Sequence, residues 1–361
     1  MSRAAFKGEA VDDLRGYVTE HAKREALPAL QLALSNGTEV LELAIGCRVD
    51  SRFCVYSVSK PFFASVVWRL AGTEGFELSS RVGELVPELK AAPVGAVKLS
   101  DVMSHMGGFP NAFADPMQLG NKQSRLAAIS QWTLEWEPGS QFVYHATSAH
   151  WVLASVVSAL TGEEHTDAFH RLFTTDVGIP NRILGVTSPH DYFEPVLLPI
   201  ADPEAMDSGQ WLLALGGAPG MSIGLPGAGC IMSATEVAIA YQAFLRNPGN
   251  MWLAEILRYA TATVVNTYLD DYAGVSANRS VGFTIAGATH EATRRGFGSR
   301  NSPQAFGHGG AGGQIAWADP GTGLSFACVS SGLQLDPRRV EEFEREVSDL
   351  AIACLDVNAV P

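Results

Sequence analysis

Segments that read as β-strands sit at the two ends of this 361-residue chain and are missing from its middle. Near the start, "ALQLAL" (29–34), the turn "SNG" and "EVLELAIG" (39–46) have the pattern of a two-stranded hairpin. Strands return in "VGFTIAG" (281–287), "QIAWAD" (314–319) and "LSFACVSSG" (324–332), the last two joined by the turn-forming "PGTG". Amphipathic helices are expected over 11–26 and 337–355. From 76 to 232 the chain carries short helical patterns and loops rich in Gly, Pro and Asn. One antiparallel sheet built from both termini and flanked by helices, an α+β fold, satisfies this distribution. Residues 1–75 and 233–361 are then a discontinuous sheet domain, and 76–232 an inserted, mostly helical lobe. A site is expected where the two meet.

Charge and cysteine content narrow the function. The formal net charge of −13 disfavours nucleic acid and anionic membrane surfaces as partners. No window of eighteen uncharged apolar residues exists, and the N-terminal "MSRAAFKGEAVDDLRGY" has no apolar core of a signal peptide. Five cysteines (47, 54, 230, 328 and 354) show no Cys-x-x-Cys spacing, which reads as buried free thiols in a reducing compartment. The expectation is a cytoplasmic protein without a metal or organic cofactor.

The run "SVSKPFFASVVWRLAG" reads as a buried helix from Ser57 to Gly72, with Pro61 tolerated in its first turn. Ser57 and Lys60, three apart, share one face of it. A serine hydroxyl needs a neighbour to take its proton, and a lysine can do so only when neutral. The apolar Phe62, Phe63 and Val66 supply a dry setting. Taken alone this spacing is weak evidence. A competing motif is "GMSIG" (220–224), a formal Gly-x-Ser-x-Gly centred on Ser222. It lacks the strand before and the helix after that a nucleophile elbow requires. Ser233 and Glu236 form a capping box for a helix over "SATEVAIAYQAFL".

Five ordered segments strengthen Ser57: "YSVSK", "LSDVMSHMGGFP" (99–110), "WEPGSQFVYHATSAHWVLASVVSALTG" (136–162), "LPGAGCIMSATEVAIAYQAFL" (225–245) and "FGHGGAGGQIAWADPGTGLSF" (306–326). Together they resemble the serine β-lactamase-like hydrolases, which include class C β-lactamases, D-amino peptidases and family VIII carboxylesterases. The resemblance runs from about residue 28 to 332. It implies that Ser57 is acylated and that Lys60 and Tyr144 share acid–base work, with the choice of base left open. It also implies an oxyanion hole from the N–H groups of Ser57 and Ala311, beside a third motif, His308-Gly309-Gly310. Ala146 stands where lactamases and peptidases of this group carry asparagine, so a small carboxylic ester is the expected substrate. An acyltransferase or transesterase, a β-lactamase or D-amino peptidase, and a non-catalytic binding protein are the alternatives. Oligomeric state, natural substrate and pathway are left open.

Other residues read as structural. His105 orders a turn, and His165 and His170 are expected at the surface. Phe109, Phe113, Trp132 and Trp136 line an acyl pocket or belong to the core.

Overall fold

The computed structural model describes residues 6–179, 182–199 and 202–355. Its centre is a six-stranded antiparallel sheet made of β1 (Leu30–Ser35), β2 (Val40–Ile45), β3 (Thr284–Ile285), β4 (Phe306–Gly310), β5 (Gln314–Asp319) and β6 (Leu324–Ser330). The spatial order is β2-β1-β6-β5-β4-β3, so the N-terminal hairpin is seated against the C-terminal strands. Leu30 faces Ser330 and Ser35 faces Ser325 across that junction. The α+β, β-lactamase/transpeptidase-like architecture expected from the sequence is the one observed.

The sheet is covered on both faces, and in its central strands most of the larger side chains lie on one of them. Leu32, Leu34, Ile315, Trp317, Phe326 and Cys328 point to one side, where α1 (Gly8–Arg24) and the C-terminal helix Pro337–Ala353 pack through Leu14, Val18, Phe343 and Val347. Ala33, Ala316, Ala318 and Ala327 point to the other, into the main core. This is the two-residue alternation of a strand, hidden in the sequence because both classes are apolar. Small residues let the capped helix Ala234–Arg246 lie close against β1, β5 and β6. Ser233 and Glu236 form the expected reciprocal cap.

α2 (Ser59–Glu74) runs through the main core, and the helix Ser148–Thr161 packs beside it. Among the described residues, 76–232 are helical and irregular, apart from two short strands that tie them to the sheet region. Ile231–Met232 pairs antiparallel with Phe53–Cys54, and Val196–Leu197 pairs parallel with Gly332–Leu333. All five cysteines are free thiols, four of them buried. Among the described residues, no helix is long and apolar enough to cross a membrane.

Three local expectations are corrected. The strand over 281–287 shrinks to Thr284–Ile285, because Ser280 N–H bonds Phe283 O at 2.9 Å and closes a tight turn. The Trp68 indole then takes the Val281 carbonyl at 3.0 Å, and Gly282 (φ 136°) leaves room for the ring. The helix expected to end at Gly72 continues to Glu74 and stops at Gly75, in the left-handed conformation that glycine adopts without steric cost. It also begins at Ser59, preceded by a 3₁₀ turn over Tyr56–Val58 that carries Ser57.

Candidate active site

Ser57 is held by what precedes it. Tyr56 has a positive φ of 45°, costly for a residue with a Cβ. Its ring is buried and its hydroxyl donates to Leu212 O at 3.0 Å, which fixes the side chain. Val58 N–H closes the turn onto Val55 O at 3.1 Å, and Val55 N–H bonds Cys230 O at 3.0 Å. The third motif meets this turn directly. A Cβ on Gly310 would come within 2.6 Å of Val55 O, so the glycine is what allows the end of β4 to lie against it. Ala311 follows that strand end, in the turn between β4 and β5.

Lys60 is the most constrained group in the site. Its side chain is buried, and Nζ reaches Ala146 O at 2.8 Å, Gly227 O at 2.9 Å and Ser57 Oγ at 3.0 Å. A carbonyl can only accept, so two N–H bonds of the amine are committed to Ala146 and Gly227. The remaining tetrahedral position is open to Ser57 Oγ and to Tyr144, whose side chain also bonds the amine. It holds a proton when Lys60 is charged and a lone pair when it is neutral. Burial pushes the Lys60 amine below its usual range; Tyr144 opposes the shift and Arg279 adds to it.

Tyr144 lies beside this pair, half-buried, with its ring centroid 5.0 Å from Lys60 Nζ. Ala146 is exposed, and its carbonyl accepts from Lys60 Nζ. Arg279 also lies against this ring, its Cζ 5.3 Å from the centroid. Arg279 Nη1 is 3.0 Å from His308 Nε2, and His308 Nδ1 is 2.6 Å from Gly309 O. The carbonyl requires the proton on Nδ1, so Nε2 accepts from the guanidinium and His308 is a neutral acceptor. Burial, then the Arg279 charge, drives its pKa well below the ordinary histidine value.

The expected residues therefore converge: Ser57, Lys60 and Tyr144 form one cluster, with His308, Gly309, Gly310 and Ala311 on the adjoining strand and turn. Two contributors were not foreseen. Gly227 acts through its backbone, for which no side-chain signal exists. Arg279 belongs to no motif, and only the fold brings it over Tyr144. His105 does order a turn: its φ is 63° and its Nδ1 accepts the His145 N–H at 3.2 Å.

Other candidates resolve differently. Ser222 lies exposed on the helical turn Ala218–Ile223, its hydroxyl donating to Pro219 O at 2.7 Å. His165 is buried rather than at the surface, because Nε2 bonds Gly224 O at 2.8 Å and the ring packs on Trp151. His170 is half-buried, with Nε2 on Leu184 O at 3.1 Å. Phe109 and Trp132 belong to the core, and Trp136 is half-buried. Phe113 is exposed and edges a small apolar hollow with Thr147, Trp151 and Trp211.

A buried lysine aimed at a serine, on a helix of the main core beside an antiparallel sheet assembled from both chain ends, defines a hydrolase of the β-lactamase fold. The chain belongs to the Beta-lactamase family, which it matches over residues 14–350. It is 24% identical over 312 residues to the esterase/beta-lactamase LipL of Mycobacterium tuberculosis, covering 79% of this chain and 70% of that protein. Among solved structures, a family VIII carboxylesterase superposes with a TM-score of 0.77 at 20% identity, over 98% of this chain and 99% of the other. EstCE1, described as a hydrolase with promiscuous acyltransferase activity, gives 0.75 at 17% identity, over 95% and 98%.

Proposed function

We propose that the protein is a serine carboxylesterase acting through an acyl-enzyme on Ser57, with a small or medium ester bound between residues 76–232 and the sheet. The observation that carries this reading is the Lys60 amine, whose two committed N–H bonds leave one position facing Ser57 Oγ. With Lys60 neutral, Ser57 Oγ attacks the ester carbonyl while its proton passes to Nζ. The N–H groups of Ser57 and Ala311 receive the oxyanion. Collapse expels the alcohol, which takes its proton from the Lys60–Tyr144 pair, a coupled unit in which one group alone is not the acid. Water then attacks the acyl-serine and gives a proton to the pair; collapse breaks the bond between Ser57 Oγ and the acyl carbon, Ser57 Oγ takes that proton and the acid is released.

Ala146 favours esters over amides, since its methyl group offers no hydrogen bond to a substrate amide. The free thiols fit a reducing compartment, and the cytoplasm is the proposed location. The likeness to EstCE1 favours one second reading, transfer of the same acyl group to an alcohol or amine acceptor. Fluorophosphonate labelling with peptide mapping tests the nucleophile: stoichiometric label on Ser57 that is lost in Lys60→Ala is expected. Label on another serine defeats the reading. Turnover of p-nitrophenyl acetate should exceed that of nitrocefin, and an added alcohol that leaves product partition unchanged counts against transfer.

A further inference from the structure

Two cationic side chains face one phenol ring in this site, and only one of them can give up its charge. Lys60 Nζ lies 5.0 Å from the Tyr144 centroid and Arg279 Cζ 5.3 Å. Each alone is a favourable cation–π geometry. Two positive charges against one half-buried ring repel, and a guanidinium holds its proton far more tightly than an amine.

Arg279 is built to stay in place. Its backbone is pinned on both sides, with N–H to Asn266 O at 2.9 Å and its carbonyl accepting from Val265 and Asn266 N–H at 2.8 and 3.1 Å. Asn266 is itself anchored through Nδ2 to Ser104 O at 2.9 Å. The guanidinium is tied to His308, which the Gly309 carbonyl keeps in the accepting tautomer. Arg279 Nε is buried without a partner, and among the described residues no carboxylate forms an ion pair with it. A buried guanidinium without an ion-pair partner is unusual in a chain of net charge −13. We propose that Arg279 is a positioning residue of the active site: locked by His308 against Tyr144, its fixed charge adds to burial in holding Lys60 in the uncharged form that can accept the Ser57 proton.

The surrounding groups agree with that assignment. Facing Lys60 are Tyr144, which favours its charged form, and Arg279, which opposes it. His105, His150 and His308 are all buried and held well below the usual histidine value, so none carries a competing charge. Asp270 acts on Arg279 from the neighbouring hairpin and supports its charge, while Arg295 opposes it. Arg295 is itself occupied by Ser276 O, Ala286 O and Glu291. His308 thus acts through Arg279 and does not titrate in the working range.

The inference rests on the esterase reading, and one experiment separates the two. The pH profiles of kcat/KM for p-nitrophenyl acetate and of the fluorophosphonate labelling rate are measured for the wild type, Arg279→Met, Arg279→Lys and His308→Leu. In Arg279→Met the acid limb should move up by at least about one pH unit. That corresponds to a roughly tenfold loss at a pH below the limb, recovered at higher pH. Arg279→Lys should restore much of the shift, and His308→Leu, which frees the guanidinium but keeps it, should give a smaller one. A uniform loss at every pH with the limb unmoved, or a downward shift, overturns the role of Arg279 alone. Should Arg279→Met not fold, an unmoved limb in His308→Leu does the same. A wild type that neither labels nor turns over ester defeats the esterase reading and this role with it.

Discussion

Lys60 and Arg125 are both buried basic side chains near the helix Ser148–Thr161, and they do opposite things. Arg125 is fully buried, donating to Leu119 O at 2.9 Å, Ser158 Oγ at 3.0 Å and Ser155 Oγ at 3.3 Å, with Cζ 5.9 Å from the Trp151 ring. Lys60 sits near the other end of that helix, on two carbonyls and the Ser57 hydroxyl. Burial lowers both, yet Arg125 falls only to about 10 and keeps its charge at neutral pH. The hydroxyls differ too: Ser155 already donates to Trp151 O at 3.1 Å, whereas Ser57 is only half-buried. Burying a cation on oxygen acceptors is therefore a structural device. It becomes chemistry when the cation is an amine that can lose its proton and one of its contacts is an accessible nucleophile.

The largest test of this contrast exchanges the two chemistries at one position. Lys60→Ala should lower kcat/KM for p-nitrophenyl acetate by about 10³-fold, the usual scale for losing a positioned general base. Lys60→Arg should do no better, although it keeps a cation, because a guanidinium does not deprotonate in the working range. Substantial activity in Lys60→Arg would show that charge at this place matters more than basicity. At the second position the readout is stability. Arg125→Met strands acceptors in the helix interface and should cost about 3 kcal/mol in urea unfolding. The folded fraction should keep kcat/KM within about threefold of the wild type, as residues outside the reacting cluster allow.

A third buried ionisable group has the other sign. Glu344, on the C-terminal helix, lies behind β4, where a Cβ on Gly309 would stand 3.7 Å from its Oε1. Burial, then Glu341, pushes its carboxyl up from 4.5 to about 8. Between those values the folded protein holds a proton that the unfolded chain has released, so stability falls as pH rises through the window. The slope from this group reaches about 1 kcal/mol per pH unit. Glu344→Gln should flatten that slope in unfolding series from pH 5 to 9 and exceed the wild type in stability above pH 8. Parallel curves for the two proteins would mean that solvent or a cation relieves the carboxylate.

The sequence carried the parts of this molecule whose physics is local or ordered along the chain. Strand pairs β1–β2 and β5–β6, the Ser233–Glu236 cap and the helix bearing Lys60 follow from short-range patterns. Ser57, Lys60, Tyr144 and His308 were marked by the order of five segments. What stayed hidden depends on contacts between distant residues. Arg279 gains its meaning from a ring 135 positions earlier, by the difference of their numbers. The Gly227 carbonyl is a backbone group that any residue would supply, and the glycine matters because a Cβ there would strike the His150 ring at 2.9 Å. His165 reads as a polar surface residue until Gly224 and Trp151 close over it. The 281–287 segment has strand composition, and the Trp68 indole claims its carbonyl instead.

The smallest expected effect sharpens the comparison between serines rather than cations. Ser222 has the more familiar motif, but its hydroxyl is spent on Pro219 O within its own helical turn, and it faces solvent. Neither an amine nor an imidazole among the described residues bonds to it, so its proton has nowhere to go during an attack. Ser57 has the less familiar setting and the one partner that matters. Ser222→Ala should therefore leave the labelling stoichiometry and kcat/KM unchanged within error and alter stability by no more than about 0.5 kcal/mol. Ser57→Ala should abolish the label in the same experiment. A loss of label in Ser222→Ala with Ser57 intact would reverse the assignment, because no contact in the fold links the exposed hydroxyl to the Lys60 cluster.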